Sequence, residues 1–340
     1  MRSVNIPTKI QISKSSEELV TDLKVFFQEN QDKSFLFQYS NFGKKYFESL
    51  IKPLLVNIKF KESHCSKGVV EEKDSDWIFS IGGGRTLDIG KLTAVKSESQ
   101  LVCLPTLIAH DGICSPVAVV DGVSQGAIVP TALFVDFSII KQCPIEQIYA
   151  GVGDLVANLS AIEDWQLAKK IKGEKIDDFA IILSRRAARS IINKLEMNML
   201  KEKQAPTDFL TSYSFLHVYI ESLVLSGISM SIAGNSRPCS GSEHLISHAI
   251  DEIYGANKKA LHGIQVMIAT LYIEKLMGFD LLIRKELNAK ESELQKILSH
   301  YGMPTKFSDI NINEEELKEI IQKAPSTRKG RFTLLDELKV

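Results

Sequence analysis

None of the five cysteines (Cys65, Cys103, Cys114, Cys143, Cys239) falls in a Cys-x-x-Cys pair. Their odd number and scattered spacing exclude a disulfide framework and a thiolate metal site, and point to a reducing, cytoplasmic compartment. The chain also lacks an excess of either charge: 41 Lys plus Arg stand against 42 Asp plus Glu, a net charge of -1. Without a broad positive field, nucleic acid is not an expected partner. The N-terminus lacks the apolar run of a secretory leader. Long hydrophobic runs are scarce too. The most apolar, residues 215–234, is interrupted by His217, Glu221 and four serines, which suits a buried helix and not a membrane span.

What is present is a globular composition with 44% hydrophobic residues in a chain of 340. That length exceeds what one core usually fills, so two domains are expected. Residues 1–143 alternate short apolar runs with helical stretches, the pattern of a parallel α/β sheet. Strands are predicted at 35–39, 77–81 and 101–104, with β-like segments at 116–120, 127–129 and 132–135. From residue 144 to 340 strand signals vanish, and amphipathic patterns predict helices at 154–171, 177–200, 208–232, 242–254 and 260–277. Residues 201–208 read as a polar connector. The expectation is an α/β nucleotide-binding domain followed by an all-α domain, with a catalytic cleft between them.

Two loops carry ligand chemistry. In the first, an apolar strand runs through Gly82, Gly83 and Gly84 into Arg85, Thr86, Leu87 and Asp88. Glycines let backbone N–H groups approach a pyrophosphate, and a helix N-terminus adds partial positive charge. The spacing is neither G-x-G-x-x-G nor a P-loop, so a tight turn without ligand is the bland alternative. The second loop, Leu104-Pro-Thr-Leu-Ile-Ala-His-Asp-Gly-Ile-Cys-Ser-Pro, offers the hydroxyls of Thr106 and Ser115 and the carboxylate of Asp111. Its bland alternative is an Asx-capped Asp111-Gly112 turn.

In the helical half, Asp154 is read at a helix start, where an N-cap acid is common. Ser240 and Glu243 have capping-box spacing, which predicts a helix carrying His244 and His248 on one face. His262 stands in another glycine-flanked segment. One carboxylate with two imidazoles is a set that catalytic zinc sites use, although spacing does not by itself select these three. His64, His217 and His300 read as structural.

Taken in order, Gly82-Gly-Gly-Arg-Thr-Leu-Asp, the Pro105 to Pro116 loop, Gly153-Asp-Leu, Ser240-Gly-Ser-Glu-His-Leu-Ile-Ser-His-Ala-Ile-Asp and His262-Gly-Ile-Gln-Val resemble the sn-glycerol-1-phosphate dehydrogenases. The likeness runs from about residue 75 to 275, and Arg331-Phe-Thr-Leu-Leu resembles that family's C-terminal segment. The resemblance implies the fold of the glycerol dehydrogenase and dehydroquinate synthase group. It implies that Gly82, Gly83, Gly84, Arg85, Thr86, Leu87, Asp88, Thr106, Leu107, Ile108 and Ala109 meet NAD(H) or NADP(H), with Ser115 near the nicotinamide. Asp154, His244 and His262 would hold one divalent ion, zinc first and nickel or iron as alternatives. Asp111, Asp154 and His248 would contact substrate.

The implied reaction is the interconversion of dihydroxyacetone phosphate and sn-glycerol 1-phosphate, a step in phospholipid biosynthesis, by a homo-oligomer. His248 is the expected proton relay, because imidazole titrates near neutral pH. Arg237 is a candidate for the substrate phosphate. A dehydrogenase of another polyol, cyclitol or aminocyclitol is the alternative, since only the pocket would differ. Cys114 and Cys239, where small residues are expected, favour that alternative by reshaping the pocket. A sugar-phosphate cyclase is disfavoured, because Asp154 stands where a glutamate is expected and Val156-Ala157-Asn158 supply no lysine. A non-catalytic homologue is the remaining reading.

Overall fold

The computed structural model describes residues 4–201, 204–257, 259–278, 280–282 and 291–337. The chain divides into two compact units, Met1–Cys143 and Pro144–Val340.

In the first unit the elements run β1 (Lys9–Ser13), α1 (Ser16–Glu29), β2 (Ser34–Tyr39), α2 (Asn41–Tyr46), β3 (Lys59–His64), β4 (Trp77–Gly82), α3 (Gly84–Ser97), β5 (Gln100–Pro105), β6 (Val117–Val120), β7 (Val123–Gly126), β8 (Ala132–Asp136) and α4 (Phe137–Ile140). Six strands form one parallel sheet in the order β1-β8-β5-β4-β2-β3. The four inner strands read as apolar runs because they are buried on both faces. The edge strands β1 and β3 are Lys- and Gln- or Glu-bearing and half exposed, the usual protection of a sheet edge, and neither was expected.

Helix α1 starts at Ser15, whose hydroxyl accepts from the Glu18 N–H. It buries Leu19, Leu23, Phe26 and Phe27 at helical spacing against the sheet. Phe26 meets Phe35, Phe79 and Phe134 edge to face at ring separations of 5.4–6.4 Å. Such pairs add to the burial of the rings themselves.

Strands β6 and β7 make a separate antiparallel hairpin. The second strand is Val123–Gly126, and the expected one at 127–129 does not form. Asp121 and Gly122 both have positive φ (51° and 80°), and this turn sets the register. The apolar content of residues 127–129 misdirected the assignment.

In the second unit the helices are α5 (Ile145–Lys172), α6 (Asp178–Lys201), α7 (Pro206–Leu210), α8 (Tyr213–Ala233), α9 (Ser242–Tyr254), α10 (His262–Met277), α11 (Glu293–His300) and α12 (Glu314–Lys323). Among the described residues this unit has no strand. The 201–208 connector contains the start of α7, and its residues 202 and 203 lie outside the described residues. Helix α8 is long and apolar enough to cross a membrane by length and composition. It packs against α6 and buries Phe215, Leu216, Tyr219, Ile220 and Leu223 completely.

Helix α5 packs along α10, and α10 against α9. Helix α5 begins nine residues before the expected start at 154 (154 − 145 = 9). Asp154 is therefore a mid-helix residue and not an N-cap. The expected Ser240–Glu243 capping box does not form either: Gly241 is the N-cap of α9, with no side-chain cap.

Candidate active site

In the sheet of the first unit, strand order reverses between β2 and β4. At such a reversal the carboxyl ends of the strands form the ligand crevice of α/β sheets. Gly82 ends β4 and pairs in register with Pro105, which ends β5. The two loops singled out above are therefore neighbours, and the Thr106 N–H donates to the Gly82 carbonyl (2.9 Å).

The glycines act here by close approach and not by unusual φ. A Cβ on Gly82 would sit 2.6 Å from the Thr86 side chain, and one on Gly84 would sit 2.7 Å from Nε2 of His110. Gly83 is the N-cap of α3 and gives it no side-chain cap. The first N–H groups of α3 thus lack the usual side-chain acceptor, which is what an anion supplies.

Other candidates in this unit have internal partners. Asp88 is buried, with Oδ1 on the Lys91 ammonium (3.2 Å) and Oδ2 accepting from the Val119 N–H (3.0 Å). Its carboxylate ties the β6–β7 hairpin to α3. Arg85 is exposed and pairs with Asp121 at 2.9 Å. Leu87 and Ile108 are buried, while Leu107 and Ala109 are half-buried. Ser115 is buried and donates to the Val117 carbonyl at 3.4 Å. Asp111 is half-buried in the turn Asp111–Ile113, whose cap is His110 Nδ1 accepting from the Gly112 N–H (3.0 Å).

In the second unit the candidate ligands converge. Asp154, His244 and His262 each offer a ligand atom within 4.8 Å of the others, and His244 Nε2 lies 3.8 Å from Asp154 Oδ1. The sequence achieves this with glycine at a helix crossing. A Cβ on Gly153 would lie 1.9 Å from the Gly263 carbonyl oxygen, and one on Gly263 would lie 1.9 Å from that of Ala150. Helices α5 and α10 thus touch backbone to backbone at the residues next to Asp154 and His262. The glycines beside these ligands serve helix contact.

Both imidazoles are held through Nδ1. The Gln265 amide donates to Asp251 Oδ1 (3.3 Å) and the Ala260 carbonyl (3.1 Å), so its Oε1 is the acceptor for the Ser247 hydroxyl (2.5 Å). Ser247 has spent its one proton, so the 2.8 Å contact to His262 is Nδ1–H donating to Ser247 Oγ. The lone pair of His262 therefore belongs to Nε2. For His244, Nδ1 lies 2.9 Å from Oε1 of Glu243, an oxygen that also accepts from the Gly241 N–H (2.6 Å). Glu243 Oε2 accepts from Ser160 (2.7 Å). The Nδ1 of His244 is the donor, and Nε2 again carries the lone pair.

Burial, His248 and two arginines hold the His244 pKa well below its usual value. The neutral ring this favours is the form that binds metal. A hard carboxylate and two imidazoles with their Nδ1 atoms anchored fit a divalent ion such as zinc.

His248 is half-buried beside these ligands, its ring centre 6.5 Å from His244 and 6.3 Å from His262. Arg237 does not present an open guanidinium. It grips Glu174 with two nitrogens and donates a third hydrogen bond to the Phe332 carbonyl at 2.7 Å. Cys114 and Cys239 are interior, and Cys239 Sγ lies 3.1–3.2 Å from the hydroxyls of Ser226 and Ser229. The sequence reading missed Ser247, Glu243 and two further arginines, Arg328 and Arg331. Glu243 was read only as a helix-start residue and Arg331 only as part of a C-terminal likeness, while Ser247 and Arg328 gave no signal beyond residue type.

Comparison with known proteins bears on the whole arrangement. A family described as iron-containing alcohol dehydrogenase matches residues 45–144. The chain is 33% identical over 290 residues to the glycerol-1-phosphate dehydrogenase [NAD(P)+] of Thermococcus sibiricus, covering 84% of this chain and 77% of that one. It is 35% identical over 291 residues to the enzyme of that name from Methanosphaera stadtmanae, with the same coverages. In fold it is similar to a probable glycerol dehydrogenase from Sinorhizobium meliloti 1021, at a TM-score of 0.71 and 20% identity over 100% of this chain and 95% of that one.

Proposed function

The chain belongs to the glycerol-1-phosphate dehydrogenase family, and from that premise we propose that it reduces dihydroxyacetone phosphate to sn-glycerol 1-phosphate with NADH or NADPH, and runs the reverse oxidation. The observation that carries this reading is the identity of 33–35% over 84% of the chain to enzymes of that name.

The turn from Gly82 to Thr86 and the loop from Thr106 to Ala109 receive the dinucleotide, with Ser115 toward its nicotinamide end. Asp154, His244 and His262 hold one divalent ion, for which zinc suits the donor set. When bound, the nicotinamide supplies the hydride and the ion supplies Lewis acidity toward a ketone oxygen. Asp111 and Asp154 orient the substrate, and His248 passes the proton that completes the secondary alcohol. One ketone, one reduced nicotinamide and one proton thus give one alcohol and one oxidised nicotinamide.

Two expectations change role. Asp88 anchors the hairpin and is no longer assigned to the dinucleotide; Arg237 is no longer assigned to the phosphate. Cys114 and Cys239 are both interior. All five cysteines are free, which supports a reducing, cytoplasmic setting.

The test is an absorbance screen at the reduced-nicotinamide band with phosphorylated and free ketones and both cofactors. Turnover of dihydroxyacetone phosphate in preference to free ketones is expected. Oxidation of free cyclitols without activity on the phosphate would sink the assignment and leave a dehydrogenase of another substrate.

A further inference from the structure

Three guanidiniums of the second unit gather around Ser236. Arg328 Nη1 and Arg331 Nη2 both donate to its hydroxyl, at 3.1 and 2.9 Å, and Arg237 follows it in the chain. Among the described residues only Arg237 has a carboxylate within ion-pair distance, Glu174. Arg331 is buried and donates to the Ser240 carbonyl. Arg328 is half-buried, and among the described residues its one hydrogen bond goes to Ser236 and no carboxylate lies within ion-pair distance.

Withdrawing a guanidinium from water without a counter-ion is costly. The strain on these groups is visible: burial and the neighbouring arginines pull the Arg331 pKa down to about 9, and burial followed by Arg237 lowers that of Arg328. Glu243 and Glu174 offset part of the charge on Arg331 from a distance, which leaves Arg328 as the cation of the three that no carboxylate reaches among the described residues. Its position is informative as well. The turn Ala324–Thr327, directly before Arg328, packs on α9, the helix that carries His244 and His248. Among charged groups, Arg328 acts most strongly on His248.

We infer that Arg328, backed by Arg331, receives the phosphate of the substrate on the His248 side of the centre, and so distinguishes the phosphorylated ketone from the free one. This rests on the reading that the substrate carries a phosphate. The guanidinium fork matches two phosphate oxygens, and the anion supplies the charge that the cluster lacks. Ser236 fixes the fork's direction from behind. Arg237 takes no part in this contact because Glu174 already holds it.

The test compares kcat/KM for dihydroxyacetone phosphate with that for dihydroxyacetone in the holoenzyme and in Arg328→Gln and Arg328→Lys. The ratio is expected to fall on the order of 10- to 100-fold in Arg328→Gln, with part regained in Arg328→Lys, as for a lost charge-assisted pair. Inorganic phosphate is expected to compete with dihydroxyacetone phosphate in the unmodified enzyme, and to lose that competition in Arg328→Gln. A wild-type ratio retained in Arg328→Gln overturns the inference, as does absence of phosphate competition in the unmodified enzyme. If the unmodified enzyme itself does not prefer the phosphorylated ketone, the substrate reading has failed, and the inference fails with it.

Discussion

Replacing Gly263 by alanine should empty the metal centre without unfolding the protein. The added Cβ would lie 1.9 Å from the Ala150 carbonyl oxygen, whereas ordinary contact begins at 3.4 Å. The start of α10 must therefore move by about 1.5 Å (3.4 − 1.9) from α5. His262, the residue before it, moves too. Metal–ligand distances tolerate only about 0.2 Å, so the displacement is several times what the site accepts. Overpacking costs about 1–3 kcal/mol, and Gly263, in the first turn of α10 and against the Ala150 backbone, regains little of it. That loss leaves an ordinary domain folded, since domain stability is about 5–15 kcal/mol. Metal content after dialysis, and cobalt affinity followed by its visible spectrum, are the assays. At least about a tenfold loss of affinity is expected, with dinucleotide binding unchanged. Gly153→Ala should do the same from the other helix. Full metal content and wild-type cobalt affinity in Gly263→Ala would refute the claim that this glycine contact builds the site.

Ser247→Ala removes the acceptor that fixes the His262 tautomer, and metal affinity should drop roughly 10- to 100-fold with little change in Tm; an unchanged affinity contradicts the tautomer argument. Gly84→Val should drive a side chain into His110 and raise the Kd for reduced nicotinamide at least about tenfold, while metal content stays at the wild-type level. Arg237→Gln strands Glu174, which is 32% exposed at its side chain, so a stability loss of about 2 kcal/mol is expected in denaturant unfolding, with less effect than Arg328→Gln on phosphate preference. Burial pushes the Glu274 carboxyl up to about 7 from 4.5. The fold then keeps a proton that the unfolded chain gives up, so this group's contribution is full below about pH 4.5 and is lost as pH rises through about 7. Glu274→Gln should remove roughly 3 kcal/mol of that pH-dependent loss between pH 5 and 8, read from unfolding curves at both ends.

Those predictions depend on features with unequal traces in the sequence. The inner strands β2, β4, β5 and β8 were legible because burial on both faces demands uninterrupted apolar runs. The edge strands carry Lys9, Lys59 and Lys61 and gave no such run. Asp154 was read at a helix start, yet Gly151 and Gly153 before it already sit inside α5, where Gly151 faces Tyr219 and Gly153 faces the Gly263 backbone. Helix interiors tolerate glycine when a neighbour must come close, and a single sequence does not display the neighbour. The spacing of Ser240 and Glu243 correctly marked the start of α9, but Glu243 accepts from the N–H of the Gly241 cap and from His244, and Ser240 caps nothing. His244 and His262 were found through resemblance, since their meeting depends on how α9 packs on α10. Arg237 was chosen because its planar fork suits a phosphate. Arg328 and Arg331, some 90 residues further on, approach the same place only through the turn packed on α9.

The most direct test of the central claim is the product formed from dihydroxyacetone phosphate and reduced nicotinamide by the metal-loaded protein. The account predicts stoichiometric loss of nicotinamide absorbance, abolished by Asp154→Asn or His262→Ala. It also predicts a glycerol phosphate that an sn-glycerol-3-phosphate dehydrogenase does not reoxidise. A product that this enzyme consumes, or turnover that survives loss of both Asp154 and His262, would contradict it.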